Sequence, residues 1–140
     1  PINHERWIGA DGHGTTFNGE AITTRDCPSL AAATLYTTSM EYFDTAEQIA
    51  AFERVQAASK MTGFGTDCYG YGLVASGFVD LVVEQGLDTY DYCALGPVVV
   101  NAGGLFTDWF GKPKVIDDTK TILAAGDPRV HAEALALINQ

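Results

Sequence analysis

Three carboxylates, Glu84, Asp88 and Asp91, fall within eight residues, and a fourth, Asp67, closes the turn Gly65-Thr66-Asp67. Carboxylates gathered at one place bind hard divalent cations through oxygen, or receive cationic substrates. Both segments follow strand-like runs, near Met61–Phe64 and Phe78–Glu84. In open α/β sheets, ligands bind outside the carboxyl ends of the strands. If these two strands are parallel, both loops open on the same face. Each acid also has a plain structural reading. Asp91 opens a helix, where the dipole favours a carboxylate regardless of function. Asp67 fits an N-cap and Glu84 a solvated strand end. His4, His13 and His131 lack ligand-like spacing and read as surface or structural residues.

The elements that must position these acids come from periodicity and caps. Leu35-Tyr36-Thr37-Thr38-Ser39 is rich in strand formers. Asp44-x-x-Glu47 has capping-box spacing ahead of a helix over Thr45–Ser59, with Ile49, Phe52 and Val55 as its apolar stripe. A second helix is predicted over Cys68–Ser76, stopped by Gly77. A third is predicted over Tyr90–Ala102, with Pro97 inside it marking a kink or break. Leu105–Asp108 and Thr121–Ala125 read as short strands. Asp127-Pro128 supplies an N-cap and first-turn proline for the last helix. Val130, Ala134, Leu135, Leu137 and Ile138 form that helix's apolar face. Strands alternating with helices predict an α/β fold with a mainly parallel sheet flanked by helices. Earlier, Arg6–Ala10, Phe17 and the Asn18-Gly19 turn predict a small antiparallel piece. The best internal boundary lies near Thr24–Pro28, giving units of 1–25 and 26–140.

Composition narrows the function. The 140 residues are 46% hydrophobic, enough for one core, and carry a net charge of −10. Such a surface repels nucleic acid and anionic lipid, so neither is expected as a partner. The richest apolar run, Gly72–Val83, is too short to span a bilayer and is interrupted by Asp80. No signal peptide shows. Cys27, Cys68 and Cys93 are odd in number and unpaired in spacing, which points to a reducing cytoplasm and to three small buried hydrophobes.

Several segments together carry a resemblance. Tyr90-Asp91-Tyr92-Cys93-Ala94, Asn101-Ala102-Gly103-Gly104, Thr107-Asp108-Trp109 and Gly111-Lys112-Pro113 resemble, in order and spacing, the C-terminal signature of the inositol monophosphatase superfamily. Tyr90 stands where that signature has Trp. Gly65-Thr66-Asp67, Val74-Ala75-Ser76-Gly77 and Asp80 resemble the family's preceding helix and strand. Arg6-Trp7-Ile8-Gly9, Asn18-Gly19, Thr34–Ser39, Asp67-Cys68-Tyr69 and Gly126-Asp127-Pro128 look like its histidinol-phosphatase branch. An acid at Asp67 with Tyr69 near it suits a cation and an aromatic ring.

The resemblance implies the C-terminal layer of an αβαβα sandwich, preceded by a remnant of the N-terminal antiparallel sheet. It implies a magnesium-dependent hydrolase of small phosphate monoesters, with two or three Mg²⁺ ions and often a homodimer. Asp91 matches a metal-binding aspartate close to the leaving group. Glu84 matches a residue holding the substrate's alcohol portion. Asp67, Thr66 and Gly65 match another wall of the substrate pocket. The family's upstream G-E-E or G-E-D and D-P-x-D-G-T motifs do not occur here. The expectation is therefore a C-terminal half, inactive alone, whose main partner is the N-terminal segment of the same protein. The substrate order is histidinol phosphate, then inositol phosphate, then other small phosphates. A non-catalytic binding module is the rival, disfavoured by retention of both Asp91 and Glu84.

Overall fold

The computed structural model describes residues 2–114, 116 and 119–140; Pro1, with which the N-terminal unit begins, lies outside them. The chain opens with three short strands, β1 (Trp7–Ala10), β2 (Gly14–Phe17) and β3 (Glu20–Ile22), forming their own antiparallel sheet. Asn18 and Gly19, both at positive φ, make the tight turn between β2 and β3.

The remaining elements are β4 (Thr34–Thr37), α1 (Ala46–Ala58), β5 (Met61–Phe64), α2 (Asp67–Ala75), β6 (Leu81–Glu84), α3 (Thr89–Tyr92), α4 (Leu95–Asn101), β7 (Leu105–Thr107), β8 (Ile122–Ala125) and α5 (Pro128–Ile138). Their sheet has the order β5-β4-β6-β8-β7. β4 pairs parallel with β5 and β6, whereas β8 runs antiparallel to β6 and β7. Four of the five strands therefore share a direction, as expected of a mainly parallel sheet, and β8 is the inverted one.

Strand parity sorts the core. Leu81, Val83, Leu123 and Ala125 face α1 and α5, where they meet Phe52, Val55, Val130 and Ala134. Val82, Ile122 and Ala124 face α2 and α4, meeting Tyr71, Val74 and Val99. The small sheet covers the outer side of α2 and α4, with Trp7 and Ile22 against Ala75, Val98 and Ala102. A Cβ on Gly9 would lie 2.3 Å from the Pro97 carbonyl oxygen, so only glycine permits this close approach. The layer order is helices, sheet, helices, sheet.

Local details depart from expectation. The capping box of α1 is Thr45 with Gln48, one residue beyond Asp44 and Glu47. Thr45 Oγ1 accepts from the Gln48 N–H (3.2 Å), and Gln48 Oε1 accepts from the N–H groups of Asp44 and Thr45. The predicted helix over Tyr90–Ala102 is two helices, broken at Cys93-Ala94. Pro97 lies in the first turn of α4, where its missing N–H has no intrahelical acceptor to lose. Cys27 is buried, but Cys68 and Cys93 are exposed rather than core residues. Among the described residues, no helix is long and apolar enough to cross a membrane.

His131 on α5 is buried, with Nε2 2.8 Å from Thr107 Oγ1. Burial holds its pKa below 6.5. The unfolded chain gains a proton near pH 6.5 that the native ring refuses, so stability falls as pH drops through that region. The loss continues down to the lower, folded-state pKa. His131→Gln should flatten this part of the curve in urea denaturation from about pH 7.5 to about pH 5. An unchanged slope would rule out His131 as its source.

Candidate functional site

The carboxyl ends of β4, β5 and β6 open together because these strands are parallel. At this edge lies a cavity of about 520 Å³ lined by residues that include Thr38, Asp67, Tyr71, Glu84 and Asp91. Loops far apart in sequence thus meet, and three of the four acids that strand-end reasoning selects, Asp67, Glu84 and Asp91, line the same cavity. No Lys, Arg or His lines the cavity among the described residues.

Glu84 closes β6 and is buried, not solvated, at 5% exposure. Parity turns it toward α2, as it does Val82. Its Oε1 accepts from the Thr38 N–H (3.1 Å) and the Thr38 hydroxyl, and its Oε2 accepts from the hydroxyl of fully buried Tyr71. Burial pushes its pKa up, opposed by these hydrogen bonds, while the charge of Asp67 pushes further upward. The Tyr71 phenol is raised well above its ordinary value, by burial first and then by Glu84, so it stays neutral and donates.

Asp67 opens α2 at φ +44°, in the left-handed region. Aspartate tolerates this better than most residues, but the strain is still about 1–3 kcal/mol, and such positions cluster at functional sites. Thr66 is the N-cap residue. Thr66 and Gly65, which precede Asp67 in the turn, do not line the cavity. The Gly65 N–H donates to the Thr38 carbonyl (2.9 Å), and Thr66 Oγ1 sits under Gly70.

Asp91 Oδ2 accepts from the Asp88 N–H at 2.8 Å. Its Oδ1 carries no hydrogen bond among the described residues and so remains available to a ligand. Asp88 pairs instead with Lys120 Nζ (2.9 Å) and does not line the cavity. Tyr69, expected beside Asp67, faces the other way. Its ring stands edge-on to Trp7 and its hydroxyl donates to Glu5 Oε2 (3.0 Å). Helical geometry explains this, since Asp67 and Tyr71 are four apart and share a face, whereas Tyr69 is two apart. Tyr71, Thr38 and Gln85 were missed by sequence reasoning. The four-residue spacing from Asp67 could have revealed Tyr71, and the strand-end rule applied to β4 could have revealed Thr38.

The donor chemistry suits a hard cation, since three carboxylates line the cavity and no basic side chain does among the described residues. It is nevertheless partial. Both Glu84 oxygens are engaged, and among the described residues no three His, Cys, Asp or Glu side chains are arranged to hold a metal. This chain can contribute part of a Mg²⁺ coordination shell, chiefly through Asp91.

The fold is a layered α/β unit with an acidic cavity at the carboxyl ends of its parallel strands. The sequence model of the Inositol monophosphatase family matches residues 1–140, and the chain belongs to that family. It is 48% identical over 142 residues to the bifunctional phosphatase IMPL2, chloroplastic, of Arabidopsis thaliana, covering 96% of this chain and 41% of that protein. It is 31% identical over 118 residues to a histidinol-phosphatase of Chlorobaculum parvum, covering 84% and 45% respectively. An inositol monophosphatase from Zymomonas mobilis superposes with a TM-score of 0.95 at 42% identity, over 100% of this chain and 55% of that one. The chain spans about half the length of the curated relatives it matches.

Proposed function

We propose that this chain is the C-terminal part of a magnesium-dependent phosphate-monoester hydrolase whose substrate is histidinol phosphate. The observation that carries the proposal is a cavity lined by Asp67, Glu84 and Asp91 and, among the described residues, by no basic side chain. Such a lining repels a phosphate dianion unless a metal cation accompanies it. It favours an alcohol portion bearing positive charge, as histidinol does and inositol does not. Two relatives named histidinol-phosphatase support the reading.

In this reading Asp91 holds Mg²⁺, which when bound polarises the phosphoryl group and supplies an activated water. Glu84 and Asp67 hold the alcohol portion, with Glu84 kept in place by Thr38 and Tyr71. Gly65 and Thr66 form the turn that leads to Asp67. The water–phosphorus bond forms as the phosphorus–ester oxygen bond breaks, and the alcohol oxygen takes a proton. Residues 1–25 and 26–140 are two layers of one catalytic unit, completed by an N-terminal segment and commonly assembled as a homodimer. The cytoplasm is the compartment the cysteines favour, although the Arabidopsis relative is chloroplastic by name.

The test compares kcat/KM for histidinol phosphate and inositol 1-phosphate in the full-length polypeptide carrying this sequence. A preference of about tenfold or more for histidinol phosphate is expected, which is roughly 1.4 kcal/mol of differential binding. A preference for inositol phosphate would overturn the substrate assignment. The likeness to the Zymomonas mobilis protein favours that second reading. The 140-residue chain alone should show no Mg²⁺-dependent turnover, because one free metal-ligand carboxylate binds Mg²⁺ weakly.

A further inference from the structure

We propose that Tyr90 is a specificity residue, whose ring face receives the imidazole ring on the substrate's alcohol portion. This rests on the reading of the site given above. Among the described residues, the aromatic side chains lining the cavity are Tyr42, Phe43, Tyr71 and Tyr90. Two of them are spent inside the protein. Phe43 is buried, its ring centroid 5.0 Å from Phe52 and 6.0 Å from Trp109, and Tyr71 is wholly buried 5.7 Å from Phe106. Tyr42 and Tyr90 are 54% and 81% exposed, and no aromatic or cationic side chain is stacked on either among the described residues. An exposed ring that also lines the cavity is open to a ligand held there.

Tyr90 is also held in place. Its hydroxyl donates to Asp88 Oδ2 at 2.9 Å, and Asp88 is paired in turn with Lys120 Nζ. The tether keeps an open ring next to Asp91, the following residue of α3. A ring already fixed gives up less freedom when a ligand stacks on it. The chemistry of that ligand follows from the surroundings. The face of a tyrosine ring carries negative potential, and Asp67, Glu84 and Asp91 line the same cavity. A flat ring bearing positive charge therefore gains from both. Imidazole is flat and takes up a proton near neutral pH. The ring of inositol is neither flat nor charged. In histidinol phosphate the ammonium then falls to the carboxylates and the imidazole to Tyr90.

The experiment uses the full-length polypeptide with two probes, L-histidinol phosphate and L-alaninol phosphate, which keeps the ammonium and the phosphate but lacks the ring. The quantity read is the ratio of their kcat/KM values, in which any effect on Asp91 or Mg²⁺ cancels. The wild type should favour the ring-bearing ester, and Tyr90→Leu should reduce that ratio about fivefold, as the loss of one stacked aromatic partner implies. Tyr90→Phe keeps the ring and loses only the tether, so its ratio should fall between the two. A ratio left intact by Tyr90→Leu, with both substrates slowed equally or not at all, overturns the role of Tyr90 while the histidinol-phosphate reading stands. A wild type that prefers inositol 1-phosphate to histidinol phosphate overturns both.

Discussion

Asp91→Asn should lower kcat/KM of the full-length enzyme by about 100-fold or more. Replacing even outer partners of a metal site changes affinity or activity by about 10–100-fold, and a direct ligand should cost at least as much. The substitution isolates the charge. Asp91 Oδ2 accepts from the Asp88 N–H, and the side-chain oxygen of asparagine can keep that bond. The start of α3 should therefore survive, with little change in thermal stability. Lost activity should be accompanied by weaker Mg²⁺ binding in calorimetry of the same protein. Near-normal turnover at ordinary Mg²⁺ concentration would reduce Asp91 to a helix-start residue, the structural role its position also allows.

Glu84→Gln should separate function from stability. Loss of one charge-assisted interaction with a cationic substrate is worth about 1.5–3 kcal/mol, or roughly 10–150-fold in kcat/KM. Stability should move the other way or not at all. Burial raises the Glu84 pKa, so folding favours its protonated form. A raised carboxyl pKa contributes stability that is complete below the unfolded value and is lost as pH rises through the folded one. An ionised Glu84 in the native protein is thus a charge that burial disfavours, and the amide removes it. The amide fits, since its oxygen can accept from the Thr38 N–H while its nitrogen donates to the Tyr71 oxygen. Melting temperature and histidinol-phosphate kinetics, measured together, decide the matter. A steep fall in melting temperature would make Glu84 a structural acid.

Much of this site was legible because its determinants are local. Asp67 and Glu84 sit where strand-like runs end, and the Gly65 turn and the end of β6 are visible in adjacent residues. The stripe of Phe52 and Val55, the Asp127 cap with Pro128, and the Asn18-Gly19 turn were readable for the same reason. Each depends on neighbours within about one helical turn or one hairpin. The cap of α1 was misplaced by one residue because Asp44 and Thr45 are both good N-cap residues. In the fold Thr45 caps the helix, while Asp44 accepts from Gln85 Nε2 just past the end of β6.

The inversion of β8, the burial of Glu84 and its grip by Thr38 and Tyr71 belong to the tertiary structure. Thr38 is 46 residues from Glu84 in sequence, and they meet because β4 and β6 are adjacent and parallel. No periodicity within either segment contains that adjacency. Likewise, Tyr69 and Tyr71 are equivalent by composition. The rotation of α2 on the sheet turns one toward Trp7 and the other beneath Glu84. By itself the sequence determined which residues could do the chemistry and at which strand ends they stand. Packing of the sheet against α2 decided which of them share a cavity, because non-local distances follow from strand order and helix rotation rather than from spacing along the chain.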